Sequence, residues 1–136
     1  MHIDDIIKEV INIRLKLPTK AANPINFELA PVKPFIGGSD IRLIIIGQDP
    51  TIKNERQRWN IKYTLNLDKK GALKRYIDNI CSALDLSIKN IYATNVYKYF
   101  YSTPPSRTPE VLAEHKKPNI ELLKRELECF NDCPII

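Results

Sequence analysis

Apolar and polar positions alternate along this chain in two distinct periods. Ile3, Ile6, Ile7, Val10 and Ile11 recur at helical spacing, and Asp4 and Asp5 suit the positive end of a helix dipole, so residues 3–16 are expected to form an amphipathic helix. Leu17-Pro18 ends it. Residues 18–40 hold Pro18, Pro24, Pro31, Pro34, Gly37 and Gly38, a composition of extended connections and turns. The run Ile41-Arg42-Leu43-Ile44-Ile45-Ile46, closed by Gly47, has the nearly unbroken apolar character of a buried parallel strand. Residues 71–84 predict a second helix with Leu73, Tyr76, Ile77, Ile80 and Leu84 inward. Residues 90–96 predict a second strand. Thr108-Pro109 is a good helix start, and the apolar face of that helix continues through Ile120, Leu123, Leu127 and Phe130, with a break or restart expected at Pro118. Pro134-Ile135-Ile136 reads as the opening of a third strand.

Strands alternating with helices predict an α/β fold with a parallel sheet and right-handed crossovers. At 136 residues the chain is expected to be a single domain, 1–136. Strands average about 5–6 residues. The short terminal run is therefore read as a truncated sheet in preference to a short native edge strand. No stretch reaches the roughly 20 apolar residues of a membrane span, and Asp4 and Asp5 occupy the place of a signal peptide's basic region. No membrane partner is expected, and the location should be cytoplasmic, or nuclear if the source has a nucleus. Net charge is +5, compatible with a polyanion, although the lysines and arginines form no run. Cys81, Cys129 and Cys133 form no C-x-x-C pair, so neither a metal site nor a disulfide framework is expected.

Ligands of open parallel sheets bind at the carboxyl ends of strands. Two polar segments fall there: Gly47-Gln48-Asp49-Pro50-Thr51 after the first strand, and Thr94-Asn95 at the end of the second. Cleavage of a base from deoxyribose builds positive charge on the sugar, which a carboxylate stabilises while it orients or activates a water. Asp49 is the acid placed for that role; its alternative is to cap an Asp-Pro turn. An asparagine amide both donates and accepts, so Asn95 can pair with the N3–H and O4 of uracil and reject cytosine; its alternative is to satisfy strand-end backbone.

These segments resemble uracil-DNA glycosylases. Leu43-Ile44-Ile45-Ile46-Gly47-Gln48-Asp49-Pro50 is similar to the family's hydrophobic strand running into G-Q-D-P, and Thr94-Asn95-Val96-Tyr97-Lys98 is similar to its T-N-x-x-K segment; the similarity spans about residues 35–130. It implies a three-layer α/β fold with a central parallel sheet, and excision of uracil or a related base flipped out of DNA. It implies a monomer without cofactor or metal. Asp49 would be catalytic, with Gln48, Tyr63 and Asn95 at the base: Asn95 reading it, Tyr63 stacking on it unless it is a core aromatic. Gly47, Pro50 and Thr51 would supply pocket backbone. Lys98, Ser106 and Arg107, with Ser102 nearby, would meet DNA phosphates, unless residues 98–109 are only a rigid surface loop.

Three departures qualify the resemblance. Thr51-Ile52 stands where the best-known branch has Tyr-His, whose tyrosine excludes thymine. The family's late histidine, in an H-P-S-like loop, has no counterpart, since His2 is terminal and His115 lies in a helical segment where a surface role is expected. The four cysteines of the iron–sulfur branch are missing. A catalytically silent DNA- or nucleobase-binding member is therefore the second reading, and an unrelated small-molecule-binding α/β domain the third.

Overall fold

A computed structural model describes residues 1–18 and 23–136. Helix α1 spans Ile3–Lys16. The His2 side chain accepts from the Asp4 backbone N–H, acidic residues occupy the first turn and basic residues the last, so the termini complement the dipole. Ile6 and Val10 are its buried residues, joined at the core by Ile13 and Leu17, whereas Ile11 is exposed. The Leu17 backbone is already extended before Pro18. Positions 19–22 of the expected connection lie outside the described residues.

Three strands form one sheet: β1 (Phe35–Ile36), β2 (Leu43–Gly47) and β3 (Ile91–Asn95), in the order β1-β3-β2. Strand β2 runs parallel to the central β3, with Leu43 opposite Ile91 and Gly47 opposite Asn95. The expectation of a parallel sheet needs one correction, because β1 pairs with β3 antiparallel. The proline-rich connection folds back beside β3 as a two-residue edge, which hydrophobic pattern alone does not show. On the other side Ile135 forms an isolated parallel bridge with Ile44, and the Ile46 N–H donates to the Ile136 carbonyl at 2.9 Å, so the terminal apolar run pairs beside β2. Ile135 and Ile136 remain exposed. The fold class is mixed α/β.

After β2 comes a single helical turn, α2 (Glu55–Arg58), started by the Asn54 side chain accepting from the Gln57 N–H. Helix α3 (Ala72–Ala83) covers one face of the sheet. Its inward stripe is Ile77 and Cys81 with Ile80 beside them, packed on Leu43, Ile45, Ile91 and Ala93. Leu73, Tyr76 and Leu84 are exposed instead of inward. The contact with a flat sheet is narrower than the helix's apolar arc, and Cys81 fills it as a small hydrophobe. Helix α4 (Pro109–Leu127) packs with α1 around Tyr97, Tyr99 and Tyr101. Pro118 neither breaks nor restarts it. The hydrogen bond that the proline forfeits would have reached the carbonyl of Glu114, an exposed residue where water can replace it. On the helix beyond Pro118, Leu122 and Leu123 are buried while Ile120 and Leu127 are half-buried. His115, Asn119 and Glu126 are buried as well, so the inner face is partly polar.

The surface role expected of His115 is overturned. Its ring stacks on Tyr101, with centroids 5.7 Å apart, and Nδ1 lies 3.0 Å from the Tyr101 hydroxyl. The Asn119 amide donates to the Tyr99 hydroxyl and to the His115 carbonyl, each at 2.8 Å. The aromatic run 97–101 is thus the centre of the core, held by a polar network that a residue-by-residue hydropathy reading misses.

Candidate functional site

Parallel pairing continues past the strand tips. The Val96 N–H donates to the Gly47 carbonyl and the Tyr97 N–H to the Gln48 carbonyl, both at 2.9 Å. This lacing brings Asp49 and Asn95 to one cavity of about 80 Å³, lined also by Pro50, Ile52, Ile61, Leu65, Asn66 and Leu73. Such a volume accommodates a few waters; pockets for whole ligands usually start near 300 Å³.

Asn95 is 3% exposed, and its side-chain amide has no hydrogen-bond partner among the described residues. A methyl group on residue 47 would stand 2.5 Å from Asn95 Oδ1, so glycine at this position is what lets the amide lie across the neighbouring tip. The strand-end backbone is satisfied by another group: Lys98 Nζ donates to the Asn95 carbonyl at 2.8 Å. That ammonium also pairs with Glu126 Oε1 of α4 at 2.8 Å, while Glu126 Oε2 accepts from the Tyr92 hydroxyl at 2.7 Å. The phosphate-contact role expected of Lys98 does not fit this structure, because its side chain is 1% exposed and is turned to the Asn95 carbonyl and the Glu126 carboxylate. Burial pulls its pKa down and Glu126 opposes that shift. The lysine of the T-N-x-x-K segment holds the backbone at Asn95 in place.

Asp49 does cap its own turn, accepting from the Thr51 N–H at 2.8 Å. The other side of Thr51 faces the core segment, its Oγ1 accepting from the Tyr101 N–H at 2.9 Å. Burial raises the Asp49 carboxyl above its ordinary range, and the hydrogen bonds from Thr51 work against that rise. Capping engages one oxygen of the carboxylate and leaves the second outside that bond.

Opposite Asp49, Leu65 and Asn66 both adopt left-handed backbone (φ 56° and 54°) in the short turn Thr64–Asn66. Consecutive non-glycine residues in that region are strained, and strain of this kind concentrates at functional sites. Asn66 Oδ1 is buried without a partner among the described residues.

The expected constellation is assembled only in part. Tyr63 does not line the Asp49–Asn95 cavity; it bridges to Lys33 and lines a larger neighbouring cleft, and no aromatic side chain lines the smaller cavity. Gln48 is exposed, and neither it, Gly47 nor Thr51 is in the lining; Gly47 and Gln48 act through the backbone bonds described above. Ser106 and Arg107 sit exposed on the turn Pro105–Arg107 ahead of α4, and Ser102 is partly exposed, its hydroxyl donating to the Pro24 carbonyl. No histidine lines the cavity. Among the described residues no group of three or more His, Cys, Asp or Glu side chains is arranged to hold a metal, and no helix is long and apolar enough to cross a membrane. Leu65, Asn66, Tyr92 and Glu126 have no role assigned from the sequence, Leu73 is expected there only as a core residue of its helix and Lys98 only as a phosphate contact; a buried lysine and glutamate look like surface charge until their partners are seen.

Comparison of the chain with protein-family models and with curated proteins returns no match.

Proposed function

We propose that this protein is a DNA glycosylase of the uracil-DNA glycosylase-like kind, with the three-layer arrangement of that fold, hydrolysing the N-glycosidic bond of uracil or a related base flipped out of DNA. The observation that supports it most is that Asp49 and the unpartnered amide of Asn95 line one cavity at two neighbouring strand tips. In this reading Asp49 orients a water and stabilises positive charge developing on the sugar. Asn95 pairs with the edge of the base and leaves cytosine mismatched. The base enters as Leu65 and Asn66 yield, since the cavity at rest is too small for a pyrimidine ring. Ser106 and Arg107 meet the phosphates. With no histidine to stabilise the departing base, turnover is slow; losing one such donor costs about 10²–10³ in rate.

The test is release of free uracil from uracil-containing single-stranded DNA. Asp49→Asn and Asn95→Ala should each remove most of it. A second reading, a silent member that binds DNA or a nucleobase without cutting it, draws on the small cavity and its lack of histidine. Salt-sensitive DNA binding with no uracil release would select that reading.

A further inference from the structure

A second, larger cleft lies beside the Asp49–Asn95 cavity, with Ile61 in the wall of both. Its volume is about 360 Å³, within the range of small-molecule sites. Trp59, Tyr63 and Phe100 give it aromatic walls, and Lys33, Lys62 and Arg58 give it positive charge. Trp59 is 61% exposed, so its indole is open to a ligand entering the cleft.

Arg58 is the unusual member. It is only 4% exposed, yet no carboxylate pairs with it among the described residues. Its Nε donates to the Ile52 carbonyl at 2.7 Å, and Nη1 donates to the carbonyls of Ser102 at 3.0 Å and Tyr101 at 3.4 Å. Nη2 has no hydrogen bond among those residues. A buried guanidinium held only by neutral carbonyls keeps an uncompensated charge, and burying charge is costly unless it is paired. Glu28 also lines this cleft, and it stands again, with Glu55, in an adjoining cleft of about 240 Å³ bordered by Arg58; neither carboxylate ion-pairs with the guanidinium. The Nε and Nη1 contacts fix the guanidinium and leave Nη2 as a pre-organised donor on a side chain that lines the cleft. A planar ring bearing an anion satisfies both halves of this surface.

We propose that the cleft between Arg58 and the Trp59–Tyr63 aromatics is a nucleotide-binding site separate from the Asp49–Asn95 cavity, with a base stacked on Trp59 or Tyr63 and its phosphate on Arg58, Lys33 and Lys62. The site does not depend on glycosylase activity. A free nucleotide and a nucleotide within a single strand share this chemistry. In a strand, the occupant is a neighbour of the nucleotide at Asp49.

Trp59 is the protein's only tryptophan and lines both this cleft and the adjoining one, so its fluorescence reports on this face of the molecule, and the Lys33, Lys62 and Tyr63 variants below assign a signal to this cleft. Thymidine 5′-monophosphate and a short oligothymidylate, neither containing uracil, are titrated into the full chain. Saturable quenching by either supports the site: quenching by both or by the mononucleotide alone identifies a free nucleotide as sufficient, and quenching by the strand alone identifies a strand subsite. The double change Lys33→Glu with Lys62→Glu, both exposed positions, should weaken binding about tenfold or more. It should also flatten the salt dependence of strand binding, by about 0.7 in log–log slope for each phosphate that is no longer neutralised. Tyr63→Phe should retain binding and Tyr63→Ala should weaken it, with circular dichroism confirming the fold of each variant. No quenching by either ligand, or quenching indifferent to these changes, overturns the proposal. Asp49→Asn should leave quenching intact, which separates the two ideas. Quenching without uracil release keeps this site and removes the glycosylase reading, and release without quenching does the reverse.

Discussion

Asp49 pairs a thermodynamic cost with the chemical use proposed for it. Its folded-state pKa is raised, chiefly by burial. A carboxyl shifted upward stabilises the fold only while protonated; that contribution is full below the unfolded pKa and is lost as pH rises through the folded value. At neutral pH the charged form is thus a liability in this cavity. Asp49→Asn keeps an oxygen for the Thr51 N–H and removes the charge, so the variant should melt higher than the parent at pH 7 in a thermal scan while losing uracil release. A residue whose only task is to cap the turn predicts no such opposition between stability and activity. Gly47→Ala makes a complementary case. The new methyl collides with Asn95 Oδ1, the far end of a side chain that can rotate away. The loss of stability should stay below about 1.5 kcal/mol by denaturant titration, yet uracil release should fall at least tenfold, because the amide is displaced from the base. The sequence made both residues legible through strand-end placement. It left Tyr63 misplaced, because the bridge to Lys33 that puts Tyr63 in the larger cleft joins segments distant in sequence, while Leu65 and Asn66, two and three residues on, line the cavity.

Elements converge on the site through β3, which is buried along its whole length. Its tip is tied to α4 by Lys98 and Glu126, and its middle by the Tyr92 hydroxyl on the same carboxylate. Removing one member leaves an unpaired buried charge, so Lys98→Met should cost about 3–5 kcal/mol in urea unfolding. Glu126→Gln in the same chain should recover part of that loss, with a coupling of about 1–3 kcal/mol. Strict additivity of the two changes would mean that the pair is not a unit. The three long helices and both main strands were readable from periodicity because each has an extended apolar face. The two-residue β1, the continuity of α4 through Pro118 and the polar inner face of α4 were not, since each depends on partners distant in sequence. Lys98 and Arg58 illustrate the same limit: a charged residue is read as solvated until the carbonyls and carboxylates that enclose it are known.

In the molecule as a whole, a mixed α/β unit packs its tyrosine-rich centre between α1 and α4, with His115 sealed inside. Burial lowers the His115 pKa, opposed by Glu114 and the Pro18 backbone. A depressed folded-state value means that stability is present above the unfolded pKa near 6.5 and is lost as pH falls from there toward the folded value. Melting temperature should drop across that window, and His115→Gln should flatten this part of the profile; an unchanged slope would assign the acid sensitivity to other groups. Glycosylase action itself is decided by single-turnover release of uracil from uracil-containing single-stranded DNA, followed for the parent chain, Asp49→Asn and Asn95→Ala. A cavity that works through these two side chains gives slow but measurable release by the parent and a loss of about a hundredfold or more in each variant, the size expected when a group acting in the transition state is removed. No release by the parent, or undiminished release by both variants, would contradict it.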